Sequence, residues 1–376
     1  MTQNSELNTQ NRFITIMAGG VGSRFWPAST EETPKQFLDI LGVGKSLLRL
    51  TFERFLKIVP ADRILIVTNK KYKALTQFHL PEIPEENILC EPTRNNTGPC
   101  VAYTALRLQA MNPDAVFVTA PSDHVILKED EFLEKIQQAF SFVEEKEAIV
   151  TLGIQPTRPD TGYGYIEVSE GFRISEDSPL GAGGRKGFQN PGPLKVESFK
   201  EKPDLNTAEE YLAAGNYFWN AGIFIWKASS LIDSFNNNAH DIYAVLTQDL
   251  SKFNTPDEQA YIDDVYPGTP SISVDYAILE KAENVYTIPA DIGWSDLGTW
   301  NSLHAFLDKD DNFSVTIGEN TFLMDTHDTI VRSDSKKIVV IKGLENYIVV
   351  DEPDALLIYP KSDEQEIKEV VKKILE

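Results

Sequence analysis

Between Phe13 and Ile154 four short apolar runs alternate with stretches of helical periodicity. The runs are "FITIMA" from Phe13, "RILIVTN" (Arg63 to Asn69), "AVFVTAP" (Ala115 to Pro121) and "AIVTLGI" (Ala148 to Ile154). Each is too short for a buried helix and rich in β-branched and aromatic residues, so each reads as a buried strand. Leu47, Leu48, Phe55, Leu56 and Val59 recur at helix spacing behind Ser46, a residue type that caps helices. Val101, Ala105, Leu108 and Met111 do the same behind Thr97 and Pro99. Such alternation constrains the chain to a largely parallel sheet with right-handed crossovers. Ligands of these sheets bind beyond the carboxyl ends of the strands. The loops after Ala18, Cys90 and Ala120 are therefore the ones expected to carry function.

The later chain is less regular. Residues 173–193, "RISEDSPLGAGGRKGFQNPGP", read as a mobile insertion because of their Gly and Pro content. "LKVESFKEKP", a helix near Ala208 to Ala214 and the strand "AGIFIWKA" follow, and a long polar helix is expected from about Ser229. "DKDDN" after Leu307 reads as a linker, and short β-rich rungs separated by polar turns come after it. The expected organisation is a disordered tail (1–12), an α/β domain (13–310) and a small β-rich domain (311–376) closed by a helix over Asp363 to Leu375. The rungs suggest an abbreviated β-helix, although no strict repeat marks it.

The chain has 376 residues, enough for two domains, and a formal net charge of −22. That charge argues against nucleic acid or an anionic membrane as a partner, but a local basic pocket can still hold a nucleotide. The two cysteines form no CxxC pair, so neither a zinc site nor a disulfide framework is suggested. The opening "MTQNSELNTQNR" lacks the apolar core of a signal peptide. No apolar run approaches the roughly 20 residues of a membrane span. A soluble, cytoplasmic protein is expected.

Glycine loops after strands often hold phosphates, and "AGGVGSRFWPAST" is one. Two familiar types fail. "GVGKS" (Gly42 to Ser46) ends like a Walker A loop, but Asp39 stands where the earlier glycine belongs. A dinucleotide fingerprint read from Gly20 fits Gly22 and then meets Phe25. What remains is Gly19, Gly20 and Gly22, whose backbone N–H groups can approach an anion, with Arg24 as a planar donor fork and Lys35 in "TPKQF" as a second charge.

Asp123 in "APSDHV" follows a strand, where a hard carboxylate can bind Mg²⁺ bridging phosphates, or simply cap a turn. Asp296 in "DIGWSDLGTW" is a second such carboxylate or a helix cap. Their separation in sequence cannot join them. "EPTRNNTGP" (Glu91 to Pro99) can read a base edge with its amides, or end in a helix N-cap. "TGYGYIEV" carries Gly162 and Gly164, "SFKEKP" carries Glu201 and Lys202, and "YFWNAGIFIW" encloses Asn220. An Asn among apolar neighbours needs partners, either a sugar hydroxyl or a loop carbonyl.

In this order the segments resemble the sugar-nucleotide pyrophosphorylases, and among them the mannose-1-phosphate guanylyltransferases. The resemblance runs from about Phe13 to Leu303, strongest in "MAGGVGSRFWPAST", "PKQF", "EPTRNNTGPC" and "PSDH". It implies a nucleotidyltransferase α/β core, Rossmann-like (GT-A-like), with a mixed sheet flanked by helices, followed by a short left-handed β-helix. It implies that GTP and mannose 1-phosphate give GDP-mannose and pyrophosphate with Mg²⁺ as cofactor.

The resemblance also implies roles. Arg24 and Lys35 would hold the triphosphate, and Lys202 the sugar phosphate. Gly19, Gly20, Gly22, Glu91, Pro92, Asn96, Thr97 and Asp123 would contact the nucleotide. Gly164, Glu201 and Asn220 would contact the sugar, and Asp123 and Asp296 the metal. The attacking phosphate is already anionic, so no general base is nominated, and none of the five histidines, His124 included. A homodimer is a family-level expectation. Longer relatives append a phosphomannose isomerase domain, for which a chain ending at Glu376 is too short, so transferase activity alone is expected. The competing readings are the same chemistry on another sugar 1-phosphate or nucleoside triphosphate, a non-catalytic GDP-mannose-binding regulator, and a scaffold.

Overall fold

The computed structural model of the chain describes residues 10–169, 192–333 and 336–375. The expected insertion, up to residue 191, and the first nine residues lie outside them.

The larger domain contains β1 (Arg12–Ala18), β2 (Ile64–Asn69), β3 (Ile88–Glu91), β4 (Val116–Pro121), β5 (Val125–Ile126) and β6 (Ile149–Ile154). It continues with β7 (Gly164–Val168), β8 (Leu194–Glu201), β9 (Tyr217–Lys227), β10 (Val285–Pro289) and β11 (Trp294–Ser295). Nine of these strands form one sheet in the order β3-β2-β1-β4-β9-β6-β10-β8-β7. β1, β2, β3 and β4 run parallel, as their intervening helices require, whereas β9 lies antiparallel between β4 and β6. The sheet is therefore mixed. Apolar side chains cover both of its faces. One core includes Phe117, Trp226 and Tyr266, and the other Phe52, Phe55, Phe132 and Phe140.

Two boundaries differ from expectation. Arg12 belongs to β1 rather than to a tail: its guanidinium is buried and meets Glu144 at 2.7 Å and 2.8 Å, so the polar side chain is matched. The expected long polar helix is two helices, Ala228–Asn238 and His240–Leu246, broken at Ala239 (φ −145°, ψ 57°). The break follows three consecutive asparagines, whose side chains compete for backbone hydrogen bonds and weaken a helix.

The small domain holds β12 (Val315–Ile317), β13 (Thr321–Met324), β14 (Ile330–Ser333), β15 (Val339–Lys342), β16 (Tyr347–Asp351) and β17 (Leu356–Pro360). β12, β14 and β16 stack in parallel on one side, and β13 and β15 on another, which is a short β-helical coil. Its inward side chains Val315, Ile317, Ile330, Ile348 and Val350 share one core with Phe25, Leu47, Leu297, Trp300 and Leu303 of the larger domain. The "DKDDN" segment is therefore no free hinge, and Asp310 accepts from the N–H groups of Asn312 within it and Ser314 just after it. Phe25 lies in the glycine loop and packs on Trp300 at 4.9 Å between ring centroids. The small domain thus braces the loop that the sequence marks for phosphate.

Candidate active site

The carbonyl of Ala18, where β1 ends, accepts from Gln36 Nε2 at 3.1 Å and Thr68 Oγ1 at 2.8 Å, which fixes the loop's point of departure. The loop turns at Ser23–Phe25 and returns at Lys35–Phe37, where the Lys35 N–H bonds the Val21 carbonyl at 3.1 Å. Gly22 sits at φ +74°, and a Cβ there would lie 2.5 Å from Lys35 Cβ. Its glycine is thus required by the close packing of Lys35, not only by the approach of an anion. Gly20 is exposed with open space where its Cβ would be, and Gly19 faces the Glu91 carboxylate. Arg24 is exposed and has no carboxylate partner among the described residues.

Lys35 is only 3% exposed. Its Nζ donates to Asp123 Oδ2 at 3.0 Å and to the Asp296 carbonyl at 2.9 Å. A two-residue ladder makes this possible: β5 pairs antiparallel with β11, with Ser295 opposite Val125 and Trp294 opposite Ile126. Two aspartates remote in sequence are thereby brought to one ammonium group. Burial pushes the Asp123 carboxyl up, but the charges of Lys35 and His124 outweigh it and hold the group below the usual carboxylate range. Asp296 Oδ1 accepts from the Tyr163 hydroxyl at 2.9 Å and from the Gly298 N–H at 3.2 Å.

Among the described residues no group of three or more His, Cys, Asp or Glu side chains could hold a metal. Two carboxylates nevertheless suit Mg²⁺. That ion keeps several waters and is usually bound by one or two carboxylates together with substrate phosphates, rather than by an all-protein cage.

A second cluster lies where β7, β8 and β9 meet. Gly164 pairs with Glu201, and a Cβ on Gly164 would lie 2.5 Å from Glu201 Oε2. Lys202 Nζ meets Glu201 Oε1 at 2.9 Å, and its N–H donates to the Tyr163 carbonyl at 3.2 Å with φ at +48°. Non-glycine residues at positive φ are uncommon and concentrate at functional positions. Asn220 Oδ1 accepts from Thr151 Oγ1 at 3.0 Å and the Gly222 N–H at 3.1 Å, which fixes the orientation of its amide. Its Nδ2 donates to Asp275 Oδ1 at 3.1 Å.

Sequence reasoning missed Asp275. It begins a π-helical turn (Asp275–Leu279) of a kind frequent at functional sites. Burial, then the nearby Glu201 charge, push its carboxyl up to about 6. A raised carboxyl pKa destabilises the fold above it: the penalty is absent below the unfolded value, grows as pH rises through about 6, and is complete beyond. Asp275→Asn is therefore expected to raise the melting temperature at pH 8, with a gain on the order of 1 kcal/mol, and to leave it unchanged at pH 4. Calorimetric melting across pH 4–8 checks this, and an equal shift at both ends would contradict it.

The third element is the loop from Glu91 to Pro99. Glu91 is buried and accepts from the Tyr266 hydroxyl. Burial drives its carboxyl up to about 7, opposed by the bonds from Tyr266 and Cys100. Asn96 caps the helix Thr97–Met111, accepting from the Thr97 N–H at 2.8 Å. Thr97 Oγ1 accepts from the Val274 N–H at 2.9 Å, and the Gly98 N–H donates to the Ile272 carbonyl at 2.9 Å. The Asn96 and Thr97 side chains thus close the helix and hold the segment leading into Asp275. Pro92 is half-buried beside Glu91.

A glycine loop at the carboxyl edge of β1, a lysine joining two aspartates, and a carboxylate–amide cluster beside them make one composite site. The family model described as "Nucleotidyl transferase" matches residues 14–312, and that described as "MannoseP isomerase/GMP-like beta-helix domain" matches residues 319–374. The chain belongs to the nucleotidyl transferase family. It is a nucleotidyltransferase whose similar curated proteins carry a more specific name. It is 36% identical over 368 residues to mannose-1-phosphate guanylyltransferase 2 of Escherichia coli O157:H7, covering 95% of this chain and 72% of that protein. It is 34% identical over 360 residues to the alginate biosynthesis protein AlgA of Pseudomonas putida, covering 95% of this chain and 70% of that one. A crystal structure from Thermus thermophilus, named mannose-1-phosphate geranyltransferase, superposes with a TM-score of 0.83 at 29% identity, covering 97% of this chain and all of that one. In the two curated relatives the match leaves more than a quarter of the length uncovered. The described residues contain no helix long and apolar enough to cross a membrane.

Proposed function

We propose that this nucleotidyltransferase joins GTP and mannose 1-phosphate to give GDP-mannose and pyrophosphate. The observation that carries the reading is the bridge from Lys35 to both Asp123 and Asp296, at 3.0 Å and 2.9 Å, beside the Glu201–Asn220–Lys202 cluster. One half of the site is suited to a polyphosphate and the other to a phosphorylated polyol. The names of the relatives support guanine and mannose as the particular pair.

In this reading an oxygen of the sugar phosphate attacks the α-phosphorus in line. One P–O bond forms, the bond from the α-phosphorus to the bridging oxygen breaks, and pyrophosphate departs with that electron pair. The nucleophile is anionic, so the obstacle is repulsion between two anions, and fixed positive groups lower it. Arg24, exposed in the glycine loop, and Lys35 neutralise the triphosphate. Lys202 holds the sugar phosphate, while Gly164, Glu201 and Asn220 orient its ring. Glu91 and the adjoining backbone of Gly19 face the nucleoside. Asp123 and Asp296 hold Mg²⁺, which when bound supplies charge neutralisation at the phosphate oxygens. The two buried, unpaired cysteines agree with a reducing, cytoplasmic setting.

A grid of four nucleoside triphosphates against several hexose and heptose 1-phosphates, read by pyrophosphate release, tests the reading. GTP with mannose 1-phosphate should exceed every other pair at least tenfold in kcat/KM. A higher value for another pair reassigns the substrates, and absence of turnover throughout the grid defeats the enzymatic reading.

A further inference from the structure

Three contacts converge on Tyr163. Its hydroxyl donates to Asp296 Oδ1 at 2.9 Å. Its carbonyl accepts from the Lys202 N–H at 3.2 Å. The next residue, Gly164, is packed against Glu201 and Asn220. The ring stands between two indoles, 5.1 Å from Trp219 and 5.2 Å from Trp294, both edge-on at 65°. Each indole is itself tied to the site. Trp219 precedes Asn220 on β9, and Trp294 Nε1 donates to Nδ1 of His124, the residue after Asp123, at 3.2 Å. The phenol therefore cannot swing away from Asp296 without displacing its edge-on indole neighbours.

The bond is also selective between the two carboxylate oxygens. Oδ1 takes both the Tyr163 hydroxyl and the Gly298 N–H, and no donor among the described residues reaches Oδ2. A carboxylate with one oxygen fixed by two donors presents the other to a cation in a single orientation. Residues that hold a metal ligand by hydrogen bond in this way set affinity without touching the ion.

We propose that Tyr163 is a positioning residue that orients Asp296 toward a divalent cation while its main chain sets Lys202, so that it aligns the two halves of the reaction. This rests on the metal assignment of the proposed function. Its side-chain and main-chain roles separate cleanly, because Tyr163→Phe removes only the hydroxyl and keeps the ring between Trp219 and Trp294.

The test is Mn²⁺ titration followed by electron paramagnetic resonance, with a non-hydrolysable GTP analogue bound to the full chain. Tyr163→Phe should bind Mn²⁺ roughly 10- to 100-fold more weakly than the unaltered protein, the range typical of such supporting residues. In steady-state assays its kcat should fall, while KM for the sugar phosphate should stay within about twofold of the original, since the Lys202 contact is main-chain. Unchanged Mn²⁺ affinity in the variant overturns the proposal and leaves the metal assignment standing. Absence of site-bound Mn²⁺ in the unaltered protein overturns both. A proportional rise in both KM values at unchanged Mn²⁺ affinity would make Tyr163 a packing residue only.

Discussion

Asp296→Asn is expected to lower turnover on the order of 10³-fold or more and to shift the melting temperature by no more than about 2 °C. The two halves of the expectation have different origins. Asn keeps the acceptor that takes the Tyr163 hydroxyl and the Gly298 N–H, and Lys35 reaches residue 296 only through its carbonyl, so the local fold loses nothing. What disappears is one unit of negative charge where a divalent cation would neutralise the triphosphate. Asp123→Asn is expected to be equally inactive but less clean. The Lys35 side chain is 4% exposed, and Asp123 is the only carboxylate it pairs with among the described residues. Asn and the Asp296 carbonyl still accept from the Lys35 ammonium, but a buried cation left without its counter-charge costs on the order of 1 kcal/mol or more, so that variant should melt measurably lower. Pyrophosphate release at saturating Mg²⁺, with calorimetric melting of the same samples, separates the two. Asp296→Asn turning over within about threefold of the unaltered protein would remove Asp296 from the metal site.

How much of this could be read from the sequence depends on the range of the forces involved. β1, β2, β4 and β6 were legible because each is a short apolar run buried on both faces, a local property. The glycine loop was legible for the same reason, although Gly22 proved to serve Lys35 packing as much as any anion. Spacing could not join Asp123 with Asp296, and only the family resemblance did, because their approach depends on the two-residue pairing of β5 with β11 and on one lysine bridging them. Asn96 and Thr97 offered both a ligand-binding and a capping interpretation, and local sequence cannot weigh them. The structure adds to the Asn96 cap a bond from the Val274 N–H to Thr97 Oγ1, far along the chain. Asp275 did leave a signal. It precedes Ile278 and Leu279 at helix spacing, so it is an acidic side chain on a face that is otherwise buried, where a carboxylate needs partners.

Lys35→Ala is expected to cost on the order of 10²-fold or more in rate, the usual loss when one fixed donor to transition-state charge is removed. The geometry gives the residue a second task. Its ammonium touches the Asp123 carboxylate and the Asp296 main-chain carbonyl, so it also ties the two aspartate segments together. A lysine acting on substrate charge alone would leave Mn²⁺ affinity unchanged or raised when removed, because an opposing positive charge is gone. A lysine that also spaces the aspartates would lower that affinity. The fold should survive, since Asp123 keeps one-third of its side chain in water and can be hydrated when Lys35 is lost. Lys35→Arg restores the charge but not the shape. A planar fork on a longer stem cannot put one nitrogen where the lysine ammonium sits, 3.0 Å from Asp123 Oδ2 and 2.9 Å from the Asp296 carbonyl in a pocket that leaves residue 35 only 3% exposed. It should recover less than a tenth of the lost rate. Pyrophosphate-release kinetics on both variants, beside their Mn²⁺ titrations, decide the matter. A loss below threefold in Lys35→Ala would exclude the residue from phosphate chemistry, and full recovery in Lys35→Arg would show that charge alone, not its placement under the glycine loop, is what the reaction needs.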